Sequence, residues 1–297
     1  MGMKDFCNPE EPIYTPLQQH QNYAAMLAIL GRECETIKLP SGSAALIQSR
    51  SFGALGTLRM VTAGPNHPTT ALPHERLKDI ERLRKARVQI INPVSPGDHV
   101  MQAAGYRMIM TPAHDAVLDI ALPAHERHAV MHGKWRNRLR SAQSTPLNIS
   151  IRPYASGTDL WLLATEAKQR RNLRYRGWPT TLTRAFAKSN PAATWIAVAS
   201  SENEPVAAML FLGHEPSITY HLSWANTQGR ALNAQNLLLD EAASYFAKLG
   251  HSQMNLGLIE TEQASGLARF KLGTGAKVRK LGGTWLRLPG FRRLPLA

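Results

Sequence analysis

The chain has 297 residues, a length that predicts two domains rather than one. Hydrophobic residues make up 43% of it, but no apolar run is long enough to cross a bilayer and the first residues lack a signal-peptide pattern, so we expect a cytoplasmic protein. The formal net charge of +14 favours polyanionic partners such as RNA, phosphorylated metabolites or an acidic membrane surface, although a basic protein without such a partner has the same charge.

Several common chemistries have no pattern to support them. Cys7 and Cys34 are the only cysteines, and their spacing fits neither a disulfide scaffold nor a zinc site. No Ser-His-Asp arrangement and no phosphate-binding Walker loop is recognisable. We therefore expect neither a metal nor a covalent acyl-enzyme intermediate.

Helical and β-prone segments alternate through the first half of the chain. Apolar residues spaced by three and four predict helices over residues 17–31, 74–87 and 97–104. Apolar β-prone runs bounded by glycine and proline predict strands over residues 44–49, 57–63, 88–92, 108–110 and 116–120.

A long basic helix is predicted over residues 123–143, and its densest cationic segment is 134–140. A Ser-Thr-Pro sequence at 144–146 ends it, because the residue before a proline avoids the helical conformation. We place a domain boundary here, with one domain over 1–143 and a catalytic domain over 144–297.

The second half predicts a mixed sheet with helices. Its strands are predicted over residues 147–152, 194–199, 206–213, 218–225, 254–257 and 277–288. Its helices are predicted over residues 158–175, 181–188, 232–249 and 265–272. Polar residues at the ends of the last strands favour a binding cleft within residues 232–285.

This element order resembles the GNAT acyltransferase fold, and short motifs make the resemblance more specific. The segment from Gly105 to Ala142 resembles the domain junction of the Fem-type aminoacyltransferases, in which a glycine-aromatic strand leads to an Asp-Leu motif and a basic helix. Gly64-Pro65 matches the pair that ends an early strand in that family. The stretch from Gly266 to Gly275 is similar to its C-terminal G-L-x-x-F-K-x-G-F-G motif.

The resemblance covers nearly the whole chain. It implies an α/β fold with two GNAT-like domains, each a mixed, mostly antiparallel sheet flanked by helices, and related GNAT N-acyltransferases share much of the second half. The implied activity is transfer of an aminoacyl group from aminoacyl-tRNA to an amine by direct attack, without a tightly bound cofactor. A peptidoglycan-type precursor or another amine-bearing small molecule fits the role of acceptor.

Two departures from these families bear on the donor. Acyl-CoA-binding GNAT proteins carry a glycine-rich turn whose N–H groups hold pyrophosphate, and residues 228–234 keep only its first part, which leaves acyl-CoA as the alternative donor. The coiled-coil arm of some Fem-type enzymes has no counterpart, so the chain resembles the short members. A further alternative is a non-catalytic RNA-binding protein with the same fold.

Lys271 is the first catalytic candidate. The matching lysine of the family is implied to stabilise the negative charge that develops when an amine attacks an ester or thioester. Phe270, Gly273 and Gly275 belong to the same motif and are expected at the substrate. The alternative for Lys271 is a solvated lysine at a helix end, where cations are ordinarily favourable.

Two more catalytic candidates lie on or near strands. Glu260 either positions and deprotonates the attacking ammonium or is a surface turn residue. Tyr220 either donates a proton to the leaving oxygen or is a buried structural tyrosine. Strand alternation predicts Tyr220 and Trp224 on one face with His221 opposite, so Trp224 is also expected at the substrate.

Two basic segments are candidates for binding phosphate and nucleic acid. Arg136 and Arg138, oriented by Trp135, are suited to clamp a phosphate. A second basic run, interleaved with aromatic residues, suits an RNA backbone and a stacked base, so tRNA is the predicted partner. Its residues are Lys168, Arg171, Arg174 and Arg176. Solvated helix faces are the alternative for both segments.

Overall fold

The fold comes from a computed structural model, which describes residues 15–67, 70–173, 175, 177–262 and 264–287. The strands are β1 (Cys34–Lys38), β2 (Ala44–Ser51), β3 (Thr57–Thr62), β4 (Ile90–Asn92), β5 (Arg107–Met110), β6 (His114–Asp119), β7 (Asn148–Pro153), β8 (Thr194–Ser201), β9 (Glu204–His214), β10 (Ser217–Ala225), β11 (Gln253–Leu258), β12 (Lys277–Lys280) and β13 (Thr284–Leu286). The helices are α1 (Gln21–Ile29), α2 (Pro73–Lys85), α3 (Asp98–Ala103), α4 (Ala124–Val130), α5 (Gly133–Gln143), α6 (Leu160–Leu173), α7 (Thr180–Ser189), α8 (Thr227–Ala231), α9 (Ala234–Lys248) and α10 (Ser265–Gly273).

The strands form two mixed sheets. The first has the order β1-β2-β3-β4-β13-β5, and the second has the order β12-β6-β11-β10-β9-β8-β7. Each sheet contains one parallel pair, β3 with β4 and β10 with β11, and its other neighbours are antiparallel. The predicted α/β class, with two mixed and mostly antiparallel sheets flanked by helices, is confirmed.

The second sheet is covered on both faces, and the sequence of β9 shows why. Met209 and Phe211 pack into a core with α5 and α9, whereas Leu210 and Leu212 pack into a core with α1, α6 and α7. Because successive side chains of a strand point to opposite faces, a continuous apolar run is what a doubly covered strand requires. The first sheet has its own core, closed by α2 and α3.

The predicted basic helix over 123–143 is two helices, α4 and α5. Met131 and His132 between them are extended, and the His132 imidazole accepts a hydrogen bond from the Lys134 N–H at the start of α5. The His132 N–H donates to the Gly273 carbonyl over 3.0 Å. The break therefore joins α5 to the end of α10, a long-range contact that helical periodicity does not report.

Two other elements are divided in a similar way. The predicted helix over 232–249 begins as α9 after Asn233, whose φ of 53° lies in the left-handed region, and α8 precedes it. The predicted strand over 277–288 is β12 in the second sheet and β13 in the first. Gly282 lies between them, where a Cβ atom would stand 2.5 Å from the Ser95 carbonyl oxygen, so only glycine fits the crossing.

The strands also cross the predicted domain boundary. Strand β6, which precedes residue 143, lies between β11 and β12 in the second sheet, and β13 lies between β4 and β5 in the first. The segments 1–143 and 144–297 therefore do not each contain one complete sheet.

Candidate functional site

The second sheet opens between β10 and β11. Their parallel pairing is short: it joins Ser217–Thr219 of β10 to Gln253–Asn255 of β11 and goes no farther. Farther along, within the described residues, β10 pairs with β9 as far as Ala225, and β11 pairs with β6 as far as Leu258. The strands thus separate toward their C-terminal ends, the edge at which α/β sheets commonly bind ligands.

A β-bulge in β10 changes which side chains face this opening. The register of β10 against β9 shifts between Tyr220 and Leu222. Tyr220 packs in the core with α9, whereas Leu222 and Trp224 pack against the core on the opposite face. The prediction that Tyr220 and Trp224 share a face is therefore wrong, because the extra residue of a bulge reverses the alternation.

Lys271 lies in the last turn of α10 with its side chain turned inward. The residue is only 6% exposed, and its Nζ donates a hydrogen bond to the Leu258 carbonyl oxygen at the end of β11, over 2.8 Å. A Cβ atom at Gly257 would stand 3.5 Å from the same Nζ. Burial lowers the pKa of Lys271 to about 8, and the Asp115 carboxylate opposes this shift. Lys271 is thus a desolvated ammonium at the separated strands, not a solvated lysine.

The Asp115 carboxylate on β6 is the charged group that raises the pKa of Lys271 against the effect of burial. The residue is 4% exposed, accepts hydrogen bonds from Arg279 Nε over 3.0 Å and from Asn255 Nδ2 over 3.2 Å, and forms an ion pair with Arg279. No sequence pattern singled out Asp115, because its partners come from β11 and β12, far away along the chain.

The glycines of the predicted motif fix α10 in place. A Cβ atom at Gly273 would stand 2.6 Å from Trp135 Cδ1, and Gly275 has a φ of 84° beside Val130. Trp135 is 3% exposed and packs against the half-buried Phe270 ring at 6.0 Å between centroids. The structure thus makes Trp135 a core residue beneath α10 rather than one that contacts substrate, and Gly273 and Gly275 position the helix that carries Lys271.

Tyr220 belongs to a polar network at the opening. Its hydroxyl donates to Ser223 Oγ over 2.6 Å, and Gln235 Nε2 from α9 donates to the same oxygen over 3.3 Å. Burial raises the pKa of Tyr220 to about 12, so the phenol stays protonated at neutral pH. Tyr220 is both buried and hydrogen-bonded at the opening, which is compatible with the predicted role of proton donor.

The same network continues into α6. Gln169 Nε2 donates to the Ser223 carbonyl and to the Tyr175 hydroxyl, each over 3.2 Å. Tyr175 in turn donates to Oε1 of the buried Glu166 over 3.0 Å, and burial raises the pKa of Tyr175 to about 12. Glu166 was missed by sequence reasoning, because it is a single glutamate in a helix and belongs to no motif.

A cleft of about 480 Å³ lies beside this network, between α6, the end of β10 and α8. Trp224 is half-buried in its wall and stacks edge-on against Trp161, with ring centroids 5.4 Å apart. Two exposed cations, Lys168 and Arg230, contribute to its rim. The other lining residues are Thr165, Gln169, Asn172, Ala225, Asn226 and Thr227. The cleft combines one aromatic face with positive charge, which suits a nucleotide.

One amide group of the turn that begins α8 is hydrogen-bonded within the turn. Asn226 Oδ1 accepts the Gly229 N–H over 2.7 Å. A Cβ atom at Gly229 would stand 2.1 Å from the Val206 carbonyl oxygen, so this glycine permits close packing on β9. The turn therefore differs from one in which bare amides face a pyrophosphate.

The remaining predicted residues have contacts or exposure of other kinds. Arg136 donates to the Met131 carbonyl over 3.1 Å, while Arg138 is exposed on the same helix. Glu260 is exposed, and its Oε1 accepts the Glu262 N–H over 2.9 Å, as in an ordinary turn. Arg171 is exposed on α6. Arg174 and Arg176, which are predicted to bind nucleic acid, lie outside the described residues.

Two other features are absent from the described ranges. No group of three or more His, Cys, Asp or Glu side chains in them is placed to hold a metal ion. No helix in the same ranges is long and apolar enough to cross a membrane.

The fold is thus two mixed sheets joined by exchanged strands, with a buried lysine at the open strand ends. The structure is similar to that of FemX, with a TM-score of 0.73, 10% identity and 91% of each chain covered. It is also similar to the C-terminal domain of a putative lysylphosphatidylglycerol synthetase from Agrobacterium fabrum, with a TM-score of 0.54, 15% identity and coverage of 92% of this chain and 89% of that one.

A third similar structure is L-PGS from Bacillus licheniformis, with a TM-score of 0.52, 16% identity and coverage of 92% of this chain and 94% of that one. No family model and no curated protein matches the sequence. At these identities the likeness defines the fold, and the predicted Fem-like resemblance is confirmed at that level.

Proposed function

We propose that the protein is an N-acyltransferase that joins an activated acyl group to an amine by direct attack. The observation that carries this proposal is the buried ammonium of Lys271, held by the Leu258 carbonyl where β10 and β11 separate. A fixed cation in a desolvated site stabilises a developing oxyanion far better than a cation in water does. The fold likeness to FemX and to a lysylphosphatidylglycerol synthetase, whose name denotes an aminoacylated product, supports the same class.

Aminoacyl-tRNA is the proposed donor. The net charge of +14 and the cations Lys168 and Arg230 beside Trp224 suit the sugar-phosphate backbone and terminal base of a nucleic acid. Because the Asn226 side chain accepts the Gly229 N–H, this amide is not free to bind the pyrophosphate of acyl-CoA. Acyl-CoA is the competing donor, and an amine-bearing small molecule or peptidoglycan-type precursor is the proposed acceptor.

The proposed step conserves atoms and charge. The neutral amine nitrogen attacks the ester carbonyl carbon, and the carbonyl electron pair moves to oxygen, where the Lys271 ammonium donates a hydrogen bond. The tetrahedral intermediate collapses as the C–O ester bond breaks, and the leaving oxygen takes a proton. Tyr220, which remains protonated at neutral pH, is the proposed source of that proton, and the proton that the attacking nitrogen loses as the amide forms restores the phenol.

The test compares donors and one pair of lysine variants. Purified protein is given an amine acceptor with radiolabelled aminoacyl-tRNA, acetyl-CoA or longer acyl-CoAs at one stated salt concentration. Lys271→Ala is expected to lower turnover about a hundredfold, the scale for loss of one oxyanion donor. Lys277→Ala, which removes an exposed lysine from the neighbouring β12, is the matched control and should not change turnover.

Each outcome has a definite meaning. Unchanged turnover in Lys271→Ala would remove Lys271 from the site. Transfer from acyl-CoA but not from aminoacyl-tRNA would replace the donor and keep the reaction class. Salt-sensitive tRNA binding that survives Lys271→Ala, with no transfer from any donor, would establish a non-catalytic RNA-binding protein.

A further inference from the structure

The Lys271 ammonium is held directly after a bulge in β11. The register of β11 against β6 shifts between Asn255 and Gly257, and Leu258 then pairs with Asp115. Gly257 has a φ of 78°, in the left-handed region, and a Cβ atom there would stand 3.5 Å from Lys271 Nζ. The next carbonyl, that of Leu258, accepts the Lys271 hydrogen bond over 2.8 Å. Because a bulge turns its strand locally, the shape of this one sets where the ammonium is held.

The side chain of Asn255 holds the bulge through both ends of its amide. Its Oδ1 accepts the Gly257 N–H over 2.6 Å, and its Nδ2 donates to Asp115 Oδ2 over 3.2 Å. An ionised carboxylate only accepts hydrogen bonds, so Asp115 selects the NH2 end of the amide and leaves the oxygen for Gly257. Arg279 Nε donates to Asp115 Oδ1 over 3.0 Å and fixes the carboxylate from β12. Asp115 thus determines how Asn255 is oriented, and through Asn255 it determines the bulge.

The same carboxylate is a negative charge beside the buried lysine. Around Lys271, β6 contributes Asp115 and β12 contributes Arg279 bonded to it, whereas β11 contributes the uncharged Leu258 carbonyl and α5 the uncharged Trp135 ring. Asp115 is 4% exposed, so water and salt screen its charge weakly. Its charge raises the pKa of Lys271 against the larger effect of burial, which lowers this pKa to about 8.

We propose that Asp115 and Asn255 are positioning residues for Lys271. Together they fix the bulge that presents the Leu258 carbonyl to the ammonium, and Asp115 supplies the negative charge that balances it. Neither residue touches the reacting atoms in this role, since both act through Lys271. The inference deepens the proposed function and rests on it for the effect on transfer, because a charged and fixed Lys271 is what stabilises the oxyanion.

The protonation of Lys271 tests the charge without any turnover. The full-length protein is prepared with isotopically labelled lysine, its side-chain signals are followed by NMR as the pH is raised, and the Lys271 signal is assigned by its loss in Lys271→Met. In Asp115→Asn the pKa of Lys271 should be lower than in wild type by about 1, because an opposite charge is lost. Asp119→Asn, which removes a half-buried acid from the other end of β6, is the matched control and should leave this pKa unchanged.

Transfer rates at two pH values separate the charge from the packing. Relative to wild type, the ratio of the rate at about pH 9 to the rate at about pH 6 should fall about tenfold in Asp115→Asn, because its Lys271 is neutral at lower pH. Asn255→Ala keeps the charge and releases the bulge, so it should lower both rates by about tenfold and leave their ratio unchanged. A merely structural effect of Asp115 would likewise leave the ratio unchanged.

Arg279→Gln gives a second test of opposite sign, since Asp115→Asn breaks an ion pair that contributes to folding. Removal of the cation while Asp115 remains should raise the pKa of Lys271. A wild-type Lys271 pKa in either variant, in protein whose thermal unfolding is cooperative, would overturn the inference. So would wild-type transfer rates in Asn255→Ala, the variant that leaves every charge in place.

The failure of this inference differs from the failure of the proposed function. If Asp115→Asn transfers acyl groups with the wild-type dependence on pH, the positioning role is wrong and the acyltransferase stands. If no donor gives a product but the Lys271 pKa is lower in Asp115→Asn and higher in Arg279→Gln, the pairing of Asp115 with Lys271 stands and the reaction class is wrong.

Discussion

At the scale of single residues, the protonation state of Lys271 distinguishes two chemical roles. Its folded-state pKa of about 8 lies below the ordinary value of 10.5 because the side chain is buried. If the ammonium stabilises the oxyanion, transfer should become slower as the pH rises through 8, by about tenfold per unit once the lysine is mostly neutral. The measurement is the ratio of wild-type to Lys271→Ala rates at each pH, in which the ionisation of the substrates cancels.

The opposite pH profile would give Lys271 the other role. A rate ratio that rises through pH 8 and then levels off would mean that the neutral amine acts as a base. The pH dependence of the unfolding free energy gives a second measurement. A lysine with a depressed folded pKa contributes stability that is fully present above the unfolded value of 10.5 and is lost as the pH falls through 8. The unfolding free energy of wild type relative to Lys271→Met should therefore rise between pH 8 and 10.5.

At the scale of elements, the seating of α10 on Trp135 can be tested with two glycines of one helix. Gly273→Ala places a methyl group 2.6 Å from Trp135 Cδ1 and should cost about 1–3 kcal/mol of unfolding free energy as overpacking. Gly266→Ala has no atom within 4 Å of the new methyl group and should gain up to about 1 kcal/mol, because alanine is the better helix former.

The two alanine variants are compared by denaturant unfolding and by the transfer rate. Gly273→Ala should also lower the rate, since moving α10 moves Lys271 relative to Leu258. Equal unfolding free energies of the two variants would show that α10 can shift away from Trp135 without loss of stability, and that the glycines of the motif are needed for another reason.

Sequence periodicity predicted the presence of most helices and strands, for a physical reason. Burial of one face imposes a period of 3.6 on the apolar residues of α7, and burial of both faces gives the continuous apolar run of β9; both patterns are visible without knowledge of the partner. Strand β1 was not predicted, since its Cys-Glu-Thr-Ile-Lys sequence is largely exposed at a sheet edge. The break before α5 and the bulge in β10 were also missed, because each is set by contacts far away in sequence.

The residues of the candidate site also differ in whether a local motif or only the fold identifies them. Lys271 was found through a local motif, and its burial and its bond to Leu258 come from the fold. Glu166 and Asp115 have no motif, and their importance follows from burial among residues of other elements. Glu260 was chosen for its place at a strand end, and a strand end alone does not place a carboxylate inward. Sequence reveals the residue types of a site, whereas charge compensation becomes visible only in three dimensions.

At the scale of the whole molecule, the exchanged strands predict that the two segments fold only together. Residues 144–297 lack β6, which joins β11 to β12, and residues 1–143 lack β13 with the fully buried Trp285. A missing central strand leaves unpaired edges and exposed core residues, which favour aggregation over folding. Each segment alone should show no cooperative thermal transition, and coexpressed segments should copurify as a complex with one transition.

A single substitution, Trp285→Ala, tests the same dependence through the unfolding free energy of the full-length protein. Trp285→Ala should cost about 3–5 kcal/mol, the range for deleting a large buried aromatic side chain, although its position lies far beyond the predicted boundary at 143. Because Trp285 packs with Ile91 and Tyr106 in the core of the first sheet, hydrogen exchange should increase in β4 and β5 before it increases in β8 and β9. Cooperative unfolding of residues 144–297 on their own would instead show that the second sheet closes without β6, and that the exchange of strands is a linkage between two independent domains.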